Sequence, residues 1–325
     1  MRESQRKKLI MAGLGKAQKR SNRRKYKCIH PNCKLDSIKS HSQQKKGQLS
    51  SIAEDSSVYA MRKNMYQMFN AGMNDLLSKQ TIGEASRYKG YCNAHDTSIF
   101  SPIENGNLDI DNPEHNFLLL LRAVSYEYAS KRDMYDRQKD ILSQVEHLFS
   151  YEGRKNYEAS GYGIKVFLEK DAPYYLSLLF DIYESKNWSK IQYNSFEIEK
   201  NIGVSSTTCF SPLREDHPSW MAENFEKPQP FISFSVVPDE SKTIVAFVWF
   251  AEFADLCGEY SRIDINQEDI SNVINTYIFC ESEDVCVRPS LWEKIPIPDK
   301  NMIYRHMGES DSVSSANKVP LVLDW

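Results

Sequence analysis

Apolar positions recur through the middle of this chain at three- and four-residue intervals. Phe117, Leu118, Leu121, Val124 and Tyr128, then Met134, Ile141, Leu142, Val145, Leu148 and Phe149, trace one face of a long helix ending near residue 150. Asn112 is a suitable N-cap for it, and Pro113 suits its first position. A second helix is predicted from Pro173 to about Ser185, with Tyr174, Leu178, Leu179 and Ile182 on its apolar side; the glycines at 153, 161 and 163 are expected to separate the two. From about residue 190 the pattern changes to strands. Ile191, Tyr193, Phe196 and Ile198 alternate imperfectly with polar residues, and Val204 to Phe210 is rich in β-branched and aromatic types. Phe231 to Val237 and Thr243 to Phe250 form the clearest pair, joined by a hairpin loop over 238–242, and the second is apolar enough to be buried on both faces. One later helix is predicted from Gln267 to about Cys280, and the last fifteen residues read as loosely ordered. The class is α+β.

Length and composition narrow this further. At about 150 residues per domain, 325 residues suggest two domains, and an apolar share of 41% with 26% charged residues excludes a disordered or fibrous chain. The longest apolar run, Ile244 to Ala251, is far shorter than the roughly 20 residues of a bilayer-spanning helix. Leu9 to Gly15 is too short and too glycine-rich for a secretory signal, so the expected setting is cytoplasmic and bacterial, although an Arg-rich, acid-poor start also imitates a mitochondrial transit peptide.

Charge is distributed unevenly. The net value of −3 combines a block of +10 in residues 1–27, eleven bases against Glu3, with −13 in the remainder. Such a terminal block suits a polyanion, and nucleic acid, DNA or RNA, is the expected partner through Lys7, Lys8, Lys19, Arg20, Arg23, Arg24 and Lys25, with Lys45 and Lys46 further on. Two other readings stay open: a solvated arm that docks on the acidic body, and a weak stripe of Leu9, Ile10, Met11 and Leu14 on an anionic membrane surface.

The chemistry concentrates after the arm. Cys28 and Cys33 stand in a C-x4-C spacing, and Cys92 and His95 in a C-x2-H spacing. Two close pairs of soft or borderline donors suit one tetrahedral Zn2+, with His30 and His41 as competing ligands. Disulfides are a poor alternative for seven cysteines in a reducing compartment. The chain therefore divides into a basic arm 1–27, a zinc-binding module 28–105, a helical region 106–189 and an antiparallel α+β domain 190–325. Cys209, Cys257, Cys280 and Cys286 read as buried free thiols, Glu215 to Pro218 as a turn, and the absence of any G-x4-G-K-[ST] run excludes a P-loop ATPase.

The order of these residues resembles the HNH or His-Me finger nucleases, which carry a zinc knuckle on either side of a strand bearing a histidine. The resemblance covers about seventy residues. It implies a treble-clef module, with His41 of Ser40-His41-Ser42 as general base against a phosphodiester and Asp96 at the position of the ligand for a catalytic Mg2+ or Mn2+. This chain departs from the family in its C-x4-C first knuckle and its 58-residue gap, and Asn64, Asn70 and Asn74 are the candidates for the asparagine that orients the base. Together with Tyr91, Phe100, Ile103 and Glu104, the pattern is also similar to uncharacterised bacterial proteins, some from families found among phage-defence genes, which implies antiviral defence. From its own chemistry His41 can be a base near pKa 6.5, a zinc ligand in place of His95, or a structural residue. Asp96 can equally cap the helical turn after the second knuckle. The alternative function is a non-catalytic zinc protein whose C-terminal domain recognises a protein partner or signal.

Overall fold

The computed structural model describes residues 3–61, 76–105, 108–212, 228–266 and 269–308. Asn64, Asn70, Asn74, Glu215 to Pro218 and the last fifteen residues lie outside them. The basic arm is a helix, α1 (Glu3–Arg23), with Gly13, Leu14, Ala17 and Ser21 buried along one side. A two-stranded antiparallel ribbon pairs β1 (Ser40–His41) with β4 (Arg87–Tyr88). Between them lies the hairpin of β2 (Ser57–Met61) and β3 (Leu77–Thr81). Then follow α2 (Asn93–Glu104), the long α3 (Pro113–Val145), α4 (Tyr151–Val166) and α5 (Ala172–Ser185). The Asn112 side chain accepts from the Glu114 amide at 2.9 Å, the N-cap its sequence position predicts.

The glycine-bearing stretch expected to separate two helices is itself helical. Ser150 caps α4 by accepting from Gly153 N at 3.1 Å, and a Cβ on Gly161 would run into the Gln138 side chain of α3. There glycine permits close helix contact and does not break the helix.

The strands β5 (Ile191–Ile198), β6 (Val204–Phe210), β7 (Ile232–Pro238) and β8 (Thr243–Phe250) stand where their alternation predicts them. β9 (Val285–Val287) completes an antiparallel sheet of order β3-β2-β9-β6-β7-β8-β5. Every residue of β8 is buried: Val245, Phe247 and Trp249 pack on one side with Ile274, Ile278 and Trp292, while Ala246, Val248 and Phe250 pack on the other with Phe117–Leu121 of α3 and Tyr175 of α5. The later helix, α6 (Ile270–Thr276), runs on as a widened turn through Glu281, and α7 (Pro289–Lys294) and α8 (Ile297–Gly308) follow it.

The sheet crosses the division drawn from composition. Tyr59 and Ala60 of the N-terminal region pair with Val287 and Cys286 of the C-terminal one, so 28–105 and 190–325 share one sheet. Segment 42–52 adds further ties: Gln43 Nε2 donates to the Asp284 carbonyl at 2.7 Å and Gln48 Nε2 to Ser205 Oγ at 2.8 Å. No described helix is long and apolar enough to cross a membrane.

Candidate metal centre and basic interface

Two turns bring the four sequence-predicted ligands together. The first runs from Cys28 to Cys33 with Asn32 in the left-handed region, and it closes by Cys28 N to Leu35 O at 3.0 Å and Cys33 N to His30 O at 3.2 Å. The second is the start of α2, where Cys92 precedes the first residue and His95 lies in the first turn. Ile29 N to Gly90 O at 3.0 Å and Ile38 N to Tyr91 O at 2.8 Å fasten the two together. Ligand atoms of Cys28, Cys33, Cys92 and His95 all lie within 4.8 Å of one another, close enough to bind a metal ion.

The spacings test what fits. Cys33 and Cys92 Sγ are 3.9 Å apart, and His95 Nδ1 lies 3.4 Å from Cys28 Sγ and 3.3 Å from Cys92 Sγ. A tetrahedron with metal–sulfur bonds of about 2.3 Å and metal–nitrogen bonds of about 2.0 Å has edges of about 3.8 Å between sulfurs and about 3.5 Å from sulfur to nitrogen. Burial pushes the Cys28 thiol up to about 11. At Cys92 burial acts the same way, but the amides of His95 and Ala94 at the helix start and the neighbouring thiols outweigh it and lower the thiol.

Neither competing histidine joins this set. His30 stacks on His95, ring centroids 3.9 Å apart and planes 4° from parallel, and its Nδ1 donates to the Pro31 carbonyl at 2.9 Å. His41 stands on the ribbon between the turns, where Nδ1 bonds the Ala85 carbonyl at 2.9 Å and lies 3.4 Å from Ser86 Oγ. Burial holds its ionisation below the ordinary imidazole value against that carbonyl; Arg87 and Lys45 depress it further, and Asp284 opposes them. Asp284 is itself buried and accepts from Ser42 Oγ.

Asp96 occupies a different neighbourhood. Burial raises it, while Ser40 and Arg122 pull it down and Glu104 raises it. Arg122 is buried, pairs with Glu104 and lies 4.3 Å over the Phe100 ring. Ser40 and His41 are consecutive on a strand, so their side chains take opposite faces of the ribbon, which separates Asp96 from the charged groups acting on His41.

Helix α1 has two electrostatic sides. Toward α3, Ser21 Oγ donates to Asp133 at 2.9 Å, Arg24 meets Asp140 at 2.6 Å and Asp136 at 3.8 Å, and Arg20 meets Asp140 at 3.5 Å. Lys25 lies 3.5 Å from Asp36. Lys89 Nζ donates to the Ser21 and Arg24 carbonyls at 2.8 Å, satisfying backbone groups at the helix end. Lys7, Lys8, Lys16, Lys19 and Arg23 are exposed and have no acidic partner among the described residues. Lys45 and Lys46 are exposed on the loop after His41.

Sequence reasoning passed over Arg87, Lys89, Arg122 and Asp284. The first two follow the β3 turn, which no spacing rule joins to His41 or to α1; the last lies 242 residues from the Ser42 it accepts from. The four other cysteines are free, as expected, but only Cys257 and Cys286 are fully buried, Cys209 and Cys280 being half-buried; burial pushes Cys257 and Cys280 up to about 12. No protein-family model, curated protein or solved structure matches the chain.

Proposed function

We propose that the protein binds nucleic acid through the outer side of α1, and that a zinc-stabilised treble-clef module holds this helix in place. The observation that carries the reading is the division of α1: Arg20 and Arg24 are spent on acids of α3, while Lys7, Lys8, Lys16, Lys19 and Arg23 face solvent along the same helix. Helix α1 is thus an ordered ridge and not a loose arm, and fixed cations lose less entropy when they meet phosphates. Three thiols and one imidazole are a donor set that suits Zn2+. The order of knuckle, ribbon and helix bearing the second ligand pair supports the treble clef.

The test measures zinc content, then anisotropy of labelled duplex DNA, single-stranded DNA and RNA over a salt series. Replacing the five free bases of α1 with alanine should lower the slope of log affinity against log salt, by about 0.9 for each duplex phosphate that is no longer neutralised. An unchanged slope sinks the reading.

A second reading has its own support. With Nδ1 bonded to a carbonyl, the His41 ring keeps its proton on that nitrogen and leaves the Nε2 lone pair free, the form a general base for phosphodiester cleavage needs. This reading rests on His41 and not on Asp96. A zinc-replete His41→Ala variant should bind nucleic acid as before and lose any nicking seen with Mg2+ or Mn2+. Antiviral defence is the setting the family resemblance implies, and plaque counts with wild type and His41→Ala test it.

A further inference from the structure

Four of the free bases of α1 stand in single file. At 3.6 residues per turn, Lys8, Lys16, Lys19 and Arg23 share an arc of about 80° and extend along about 22 Å of the helix. The buried residues Gly13, Leu14, Ala17 and Ser21 lie on nearly the opposite side. Lys7 is exposed as well, but it stands about 100° outside the arc, beside the buried edge. Arg20 and Arg24 turn away from the file toward the acids of α3. Gln5 and Ala12 are the other residues of 3–23 on the arc, so no acid interrupts it. What the helix lacks is a means of reading bases. It carries no aromatic ring on which a base could stack. Gln18 and Asn22, amides of the kind that match base edges, lie off the arc and bond each other, Gln18 Nε2 donating to Asn22 Oδ1 at 3.0 Å. Gln5 already has an interaction of its own.

We propose that α1 holds a nucleic-acid strand by its phosphodiester backbone alone, with Lys8, Lys16, Lys19 and Arg23 on the phosphates and no residue of the helix reading a base. Phosphate contacts fix the position of a strand and carry no sequence information, whereas sequence readout needs hydrogen-bonding side chains aimed at base edges. A straight file of cations on a helix docked to the body follows one backbone. Ala12 is exposed within the file, about 6 Å along the axis from both Lys8 and Lys16, where one further cation would meet the same backbone. The proposal rests on the nucleic-acid reading and deepens it: the ligand class becomes any strand that presents phosphodiesters, whatever its bases.

The test compares a labelled DNA single strand with an abasic strand of the same length, which keeps every phosphodiester and lacks every base, on the metal-loaded full chain. The two should bind within about fivefold of each other; a larger loss, the scale of one stacked base, overturns the proposal. Single variants then locate the file. Lys19→Ala should lower the slope of log affinity against log salt by about 0.7, the value for one phosphate of a single strand, and Ala12→Lys should raise it by as much. A gain of that kind cannot arise from misfolding. Lys7→Ala should leave the slope as it is. An Ala12→Lys slope equal to wild type, or a Lys7→Ala loss equal to that of Lys19→Ala, also overturns the file. Failure of the underlying reading looks different: replacing all five free bases then leaves the slope unchanged. If that replacement lowers the slope while the abasic strand binds poorly, the nucleic-acid reading stands and the backbone inference alone falls.

Discussion

His41 is half-buried beside Arg87 and Lys45, and every one of those conditions disfavours its charged form. A histidine whose folded value lies below its unfolded value of about 6.5 binds fewer protons when folded, so its contribution to stability is complete above that pH and is lost as pH falls through the folded value. Urea denaturation from pH 8 down to pH 5 should therefore show an acid-side loss that His41→Gln reduces by about 1 kcal/mol or less, because solvent reaches the exposed edge of the ring and screens it. Gln is neutral throughout this pH range, so the variant removes the titration while keeping a polar side chain on the ribbon. An identical acid limb in the variant would mean that the ring titrates as it does in the unfolded chain. The same neutral ring is what the second functional reading requires, so an NMR titration placing the His41 midpoint above 6.5 removes the physical basis of both.

At the scale of elements, two helical glycines make opposite predictions. Gly13 faces Val145 where α1 crosses the end of α3, and a Cβ there would run into the valine methyl, whose β-branched side chain has little freedom to withdraw. Gly163 lies in α4 with nothing within 4 Å of an added Cβ. Gly163→Ala should stabilise by roughly 0.5–1 kcal/mol through helix propensity alone, whereas Gly13→Ala should lose that gain and loosen α1, read as faster hydrogen exchange in residues 3–23. Equal effects at the two sites would show that α1 does not dock through this crossing. These helices also mark what was legible in the sequence. Long elements with regular spacing and a cap, α3 and the β7–β8 pair, could be read directly, because their pattern is local. Glycines in α4 read as breaks, since the Gln138 side chain that requires Gly161 belongs to another helix. β2, β3 and β9 are short, and Ala60 finds its partner Cys286 far along the chain. The candidate metal ligands were legible for the opposite reason: each pair is local, and only their meeting is a fact of the fold. The charges around His41 had no local signature.

For the whole molecule, the shared sheet and core set what metal removal should do. Composition divides the chain into a metal-binding front and a sheet-forming rear, and on that view the loss of the metal would leave the rear folded. In the structure Cys28 and Cys92 belong to the same apolar cluster as Ile99 and Phe100 of α2, Phe117–Leu121 of α3 and Ala246, Val248 and Phe250 of β8. The β2–β3 hairpin, inserted between the two ligand pairs, is hydrogen-bonded to β9. Structural zinc commonly contributes about 10 kcal/mol or more of apparent binding energy, while the net stability of a whole domain is about 5–15 kcal/mol. With core and sheet both shared, that loss should not stay local. Chelation, or Cys92→Ser, should therefore lower the unfolding of the entire described body as one transition. Trp249 on β8 and Trp292 on α7 both report on the side of the sheet opposite the cluster that holds Cys28 and Cys92, far from the ligands in sequence, and with the other tryptophans replaced by phenylalanine their fluorescence can be followed alone. Both midpoints should fall together with the far-ultraviolet signal when metal is removed. If instead Trp249 and Trp292 keep their metal-loaded midpoint while the N-terminal segment becomes protease-sensitive, the metal centre and the sheet are independent folding units despite their shared core, and the packing of Cys28 and Cys92 against α3 contributes little to holding the two together.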